Sequence, residues 1–163
     1  MALTEQLPIY RCALRLTAQV APLIRNFSKH YKYSLGGRLL DLCLDLPELI
    51  FDANSHYDKV PYLEELLRRL QRLRMLFNVC LDQRELSERQ YAPVAMTLDE
   101  IGRQATAWRD KFGRESRQRA EQRAAYVESR IEQIVREMVA ERLDGLGETD
   151  RDKPVSYTHL TLP

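Results

Sequence analysis

Aromatic and basic residues alternate along Phe27-Ser28-Lys29-His30-Tyr31-Lys32-Tyr33-Ser34-Leu35-Gly36-Gly37-Arg38, and this mixture suits an anionic polymer. Lysines neutralise phosphates while tyrosine rings stack on bases or cover apolar surface, so one short segment supplies both charge and contact area. A plain helix connection, with its aromatics packed beneath it and its lysines solvated, has the same composition. The rest of the chain has to decide between these readings.

Charge is segregated along the sequence. Residues 1 to 40 carry Arg11, Arg15, Arg25, Lys29, Lys32 and Arg38 against Glu5 alone. Residues 41 to 58 then carry Asp41, Asp45, Glu48, Asp52 and Asp58 with no Lys or Arg, and residues 66 to 81 carry Arg68, Arg69, Arg72 and Arg74 with no acid. The net charge of +1 therefore hides strong local fields.

Other chemistries lack their residues. The sequence holds no GxxxxGK[ST] loop, HExxH helix, CxxC pair or GxSxG elbow, so no nucleophile, general base, metal centre or cofactor site can be named. The stripe Asp41, Asp45, Glu48 and Asp52 lacks the Glu-x-x-His elements of carboxylate-bridged metal sites, and reads as a solvated or salt-bridged face. Cys12, Cys43 and Cys80 lie far apart among apolar neighbours, so they read as packing residues in a reducing cytoplasm rather than a disulfide framework. No secretory signal is visible, and the longest apolar runs are too short to span a bilayer.

The elements that position the basic residues follow from periodicity. Ile9, Ala13, Leu16, Val20, Leu23 and Phe27 share one face of a first helix over 8 to 27, with Arg11, Arg15 and Arg25 opposite. A second helix runs from about Ser34 to Ser55 on Leu35, Leu39, Leu42, Leu46, Leu49, Ile50 and Ala53. Its second apolar strip, Leu40, Leu44, Pro47 and Phe51, needs another neighbour, and Pro47 should kink the helix or open its hydrogen-bond ladder. A third helix begins near Pro61 or Tyr62, with Leu63, Leu66, Leu70, Leu73, Phe77 and Cys80 on one side. Arg74 falls near the centre of that apolar face, where it either snorkels from the edge or takes a carboxylate from the second helix or another subunit. Ser87 and Gln90 form a capping-box pattern for a fourth helix carrying Val94, Leu98, Ile101, Ala105, Trp108 and Phe112.

These patterns predict an all-α fold, an antiparallel up-down four-helix bundle over residues 1–112. From Gly113 the composition turns to Arg, Glu, Gln and Ala. Ala120, Ala124, Val127, Ile131, Ile134 and Met138 form a heptad seam on an additional charged C-terminal helix, 113–147, which either packs on the bundle or pairs between subunits. Residues 148–154 read as a linker. Residues 155–163, Val-Ser-Tyr-Thr-His-Leu-Thr-Leu-Pro, resemble the in-frame translation of a sequencing-library adapter, and are read as non-native and set aside.

With these elements in place, the chain resembles the four-helix-bundle family of the accessory variability determinant (Avd) of diversity-generating retroelements, which also includes proteins from intervening sequences of large-subunit ribosomal RNA genes. The resemblance lies in Phe27 through Tyr33, Ser34-Leu35-Gly36-Gly37-Arg38-Leu39, Leu86-Ser87-Glu88-Arg89-Gln90-Tyr91, and Glu100-Ile101-Gly102-Arg103 followed by Trp108. Ser28 stands where the family often has proline, and the fifth helix extends past the shorter family bundle.

The resemblance implies a non-catalytic, cytoplasmic bacterial partner of a reverse transcriptase, assembled as a basic homopentamer that binds RNA or DNA. Phosphate contacts are then expected from Arg11, Arg15, Arg25, Lys29, Lys32, Arg38, Arg68, Arg69 and Arg72, with little sequence preference. Leu40, Leu44 and Phe51, with Arg74, are expected at the oligomer interface. The alternative is a protein-interaction scaffold whose basic face meets an acidic partner without nucleic acid.

Overall fold

Apolar side chains recurring every three or four positions wind this chain into helices that bury one face each. The computed structural model describes residues 3–148, with side chains to residue 146, and these contain no strand. A 3-10 turn at Thr4–Gln6 leads into α1 (Pro8–Arg25); a single helical turn, α2 (Lys29–Lys32), then precedes α3 (Leu35–Ser55), α4 (Val60–Asp82) and α5 (Glu88–Glu148). The chain divides into one compact unit ending at Ser116 and a second beginning at Arg117. The expected adapter-like segment and residues 149–154 of the expected linker lie outside the described residues.

The first unit is a helical bundle around one core. Leu16, Val20, Leu39, Leu46, Ile50, Leu63, Leu66, Leu73, Leu98 and Ile101 are fully or almost fully buried there. The pairing of helices is recorded by polar contacts at the core's edge. Gln19 of α1 meets Thr97 of α5 (Thr97 Oγ1 to Gln19 Oε1, 2.9 Å), while Cys12 lies 3.6 Å from Gln104 Nε2. Arg69 of α4 reaches Asp45 of α3 at 3.0 Å, and Asn54 Nδ2 donates to Thr4 Oγ1 at 3.0 Å.

Local chemistry sets the helix ends. At the start of α5 the Gln90 N–H donates to Ser87 Oγ (3.2 Å) and the Ser87 N–H to Gln90 Oε1 (2.9 Å), the reciprocal capping box read in the sequence. Lys59 Nζ closes the end of α3, donating to the carbonyls of Ala53, Asn54 and His56 at 2.9 to 3.1 Å. At the end of α4, Arg84 adopts φ 57°, and the Glu85 N–H reaches back to the Cys80 carbonyl at 2.9 Å. This is a Schellman ending, formed at a non-glycine residue.

One expectation needs revision. The separate fifth helix does not begin at Gly113: α5 continues through that residue to Glu148. A single helical glycine costs only about 1 kcal/mol, and the Arg, Glu, Gln and Ala around it are strong helix formers. Pro47 behaves as its chemistry requires: α3 is helical on both sides of it, and the proline offers the Cys43 carbonyl no N–H, which opens the hydrogen-bond ladder locally.

Gly36 and Gly37 differ sharply. A Cβ on Gly36 would lie 2.6 Å from Ile24 Cγ2, whereas one on Gly37 would meet nothing within 4 Å. Ile24 is β-branched and cannot easily turn its methyl aside. Gly36→Ala is therefore expected to destabilise the protein by about 1 to 3 kcal/mol, and Gly37→Ala to stabilise it by up to about 1 kcal/mol. Urea unfolding midpoints of the two variants check this contrast.

Candidate nucleic-acid interface

The basic-aromatic junction folds as a short bridge between two long helices. Arg25 ends α1, Lys29 and Lys32 bracket α2, and Arg38 lies on the first turn of α3. Phe27 is buried and anchors the bridge, while Tyr33 is 79% exposed. The bridge is tied to the connection between α4 and α5. Glu85 accepts the Ser28 N–H at 2.6 Å and the Ser28 hydroxyl at 2.8 Å, and the Tyr31 hydroxyl donates to Gln83 Oε1 at 3.0 Å. These contacts fix the backbone and leave both lysine ammonium groups without an ionic partner among the described residues.

The nine cations expected to contact phosphate separate into two groups. Arg15 pairs with Glu100 at 2.5 Å, Arg68 with Glu65 at 2.8 Å, and Arg69 with Glu65 at 2.7 Å and Asp45 at 3.0 Å. Among the described residues, Arg11 donates only to the Glu5 backbone carbonyl, at a long 3.4 Å. Arg25, Lys29, Lys32, Arg38 and Arg72 have no ion pair among the described residues. Arg38 and Arg72 also line one surface groove, together with Asp41, Asp45 and Arg69.

The carboxylates in these pairs respond electrostatically. Partial burial raises the Glu65 pKa, but hydrogen bonds from Arg69 and Arg68 outweigh it and hold the group below its ordinary value. Glu100 is also held low, first by the Cys12 thiol, which donates to it at 3.1 Å, and then by Arg15. Sequence reasoning missed both acids. The Glu65 clamp was readable from its i,i+3 and i,i+4 spacing to Arg68 and Arg69. The Glu100 contact spans 85 residues of chain and carries no local signal.

Arg74 takes its carboxylate from Asp99 of α5, at 2.8 Å. The acidic stripe of α3, where Arg69 engages Asp45, is not its partner. Along the second apolar strip of α3, Leu44 and Phe51 are 51% and 56% exposed and Leu40 is half-buried. Its outer half is therefore uncovered among the described residues.

The three thiols are free and buried. Burial pushes Cys43 up to about 12 and Cys80 up to about 11, and it also raises Cys12, where Glu100 adds to the effect. Protonated thiols of this kind are poor nucleophiles. Among the described residues no group of three His, Cys, Asp or Glu side chains is arranged to hold a metal ion, and no helix is long and apolar enough to cross a membrane.

A depressed carboxyl pKa stabilises the fold fully above the unperturbed value of 4.5 and loses that contribution as pH falls through the lower folded value. Glu100→Gln is expected to flatten the loss of stability between about pH 5 and pH 3. Denaturant titrations of the wild type and the variant across that range check it.

No curated protein matches the sequence. A family model described as bAvd-like matches residues 9–112, the span that carries the bundle core and the basic junction. That span is more than half of the 163 residues, and the chain belongs to the bAvd-like family.

Proposed function

We propose that this protein is a non-catalytic accessory subunit of a reverse transcriptase, in a diversity-generating retroelement or a similar system, and that it binds RNA or DNA through its basic junction. The observation that carries this reading is that six of the nine expected cations, Arg11, Arg25, Lys29, Lys32, Arg38 and Arg72, have no ion pair among the described residues. Unpaired cations release counterions when they meet phosphates, whereas Arg15, Arg68 and Arg69 must first exchange a carboxylate. The exposed ring of Tyr33 adds a surface for a base.

The bundle's proposed topology is antiparallel and up-down. The pairings of Gln19 with Thr97 and of Cys12 with Gln104, at opposite ends of matched stretches, support it. Assembly into a ring, five-membered by family resemblance, would repeat the junction in every subunit and turn a modest patch into a strong field. Leu44 and Phe51, with Leu40 beside them, supply the apolar surface for that contact.

A second reading, an interaction scaffold that meets an acidic protein partner without nucleic acid, draws on the acids that share the groove with Arg38 and Arg72. Asp41 and Asp45 weaken the field there and leave a mixed-charge surface suited to a protein. Titrating the purified protein with a structured RNA, without polymerase, separates the readings. Binding with six engaged cations is expected to weaken roughly 10³-fold between about 50 and 200 mM salt. Joint Lys29→Ala and Lys32→Ala changes should lower the salt slope by about one per contact removed, while Arg68→Ala changes it little. Affinity insensitive to salt, or no binding at all, favours the scaffold.

Assembly has its own expected outcome. Leu44→Glu or Phe51→Glu should reduce the oligomer to smaller species in light scattering while helicity by circular dichroism stays within about a tenth of the wild type, since both side chains lie off the protomer's core.

A further inference from the structure

Every residue of α5 from Ser116 to Gly145 is exposed, yet the segment is not uniformly polar. Val127, Ile131, Ile134 and Met138, between 44% and 63% exposed, recur at spacings of four, three and four. Isolated apolar residues need no explanation, but an ordered stripe of them along a helix marks a contact surface. We propose that this stripe docks a second copy of the same segment, the two helices lying antiparallel about a twofold axis between Ile131 and Ile134. The proposal rests on α5 alone and is independent of the nucleic-acid role.

The apolar pairing and the flanking charges set the orientation. In heptad terms Ala124, Ile131 and Met138 occupy a positions, and Val127, Ile134 and Glu141 occupy d. Antiparallel alignment places Ile131 against Ile134 of the second copy, Val127 against Met138, and Glu141 against Ala124. Most residues flanking the seam then meet as opposite charges: Arg123 with Asp144, Arg130 with Glu137, and Glu121 with Arg142, while Glu128 meets Val135. The twofold axis makes each of these pairs occur twice. A parallel pair would set Glu141 against its own copy in the seam, and would keep only the Arg123–Glu128 and Glu137–Arg142 pairs. Like charges facing each other in the contact are costly, so the charge pattern selects the antiparallel arrangement.

Val139 and Leu143 form a neighbouring exposed strip, 51% and 63% exposed, which the proposed contact does not cover. This provides an internal control. Full-length chains carrying Arg123→Cys are mixed with full-length chains carrying Asp144→Cys and mildly oxidised; the native thiols are buried and should stay silent. The mixture is expected to give several times more disulfide-linked dimer than either variant alone. Adding Ile131→Lys and Ile134→Lys to both chains should remove most of that product, while adding Val139→Lys and Leu143→Lys should leave it. Cross-linking of Arg123→Cys with Glu128→Cys in place of Asp144→Cys would overturn the proposal in favour of a parallel pair. Absence of cross-linking in both mixtures, or loss only on changing Val139 and Leu143, would also overturn it.

Discussion

The first third of α5 must lie between α1 and α4, and the rest of the bundle depends on that insertion. Leu98 and Ile101 are completely buried, and two consecutive acids beside them reach to opposite neighbours. Asp99 meets Arg74 of α4, and Glu100 meets Arg15 of α1. Successive helical residues project about 100° apart, so one turn can hold two partners at once. Exposed ion pairs contribute little to net stability. Their effect here is registry, because an axial slip of α5 would separate both pairs while leaving much apolar area buried.

That registry determines which cations remain available. Acids from α3, α4 and α5 neutralise the arginines along the bundle's length, through Asp45 and Glu65 as well as the α5 pair. Among the described residues one acid, Glu85, bonds the α1-to-α3 bridge, and both of its bonds go to Ser28 rather than to a lysine. Of the nine expected cations, Arg25, Lys29, Lys32 and Arg38 therefore gather at the bridge without an ion pair among the described residues, while Arg11 and Arg72 lie outside it. The junction is also rigid: Phe27 is buried, Gly36 packs under Ile24, and Tyr31 is hydrogen-bonded. A fixed group of charges reorganises less on meeting an anion than a flexible tail does.

Much of this fold was legible in the sequence because periodicity reports burial directly. Ile9, Ala13, Leu16, Val20, Leu23 and Phe27 share the expected inner face; Leu23 is partly buried, the others are buried, and Phe27 lies just past the end of α1. The Ser87 and Gln90 cap was also readable, since its partners are three residues apart. The continuity of α5 was not, because a compositional shift at Gly113 looks like a boundary although both sides favour helix. Long-range pairing was invisible as well. Arg74 signalled its need for a carboxylate, but only the packing of α4 on α5 identifies Asp99. The expected phosphate contacts were named from local sequence alone, whereas their division into paired and unpaired cations required tertiary structure.

Ultraviolet cross-linking of the full chain to a structured RNA at low salt, followed by mass-spectrometric mapping of the linked peptides, locates any nucleic-acid contact. Adducts are expected to concentrate between Arg25 and Arg38, with Tyr33 foremost because its ring is exposed beside the unpaired lysines. Adducts confined to residues beyond Ser116, or no adducts under conditions where a known RNA-binding protein cross-links, would contradict that expectation.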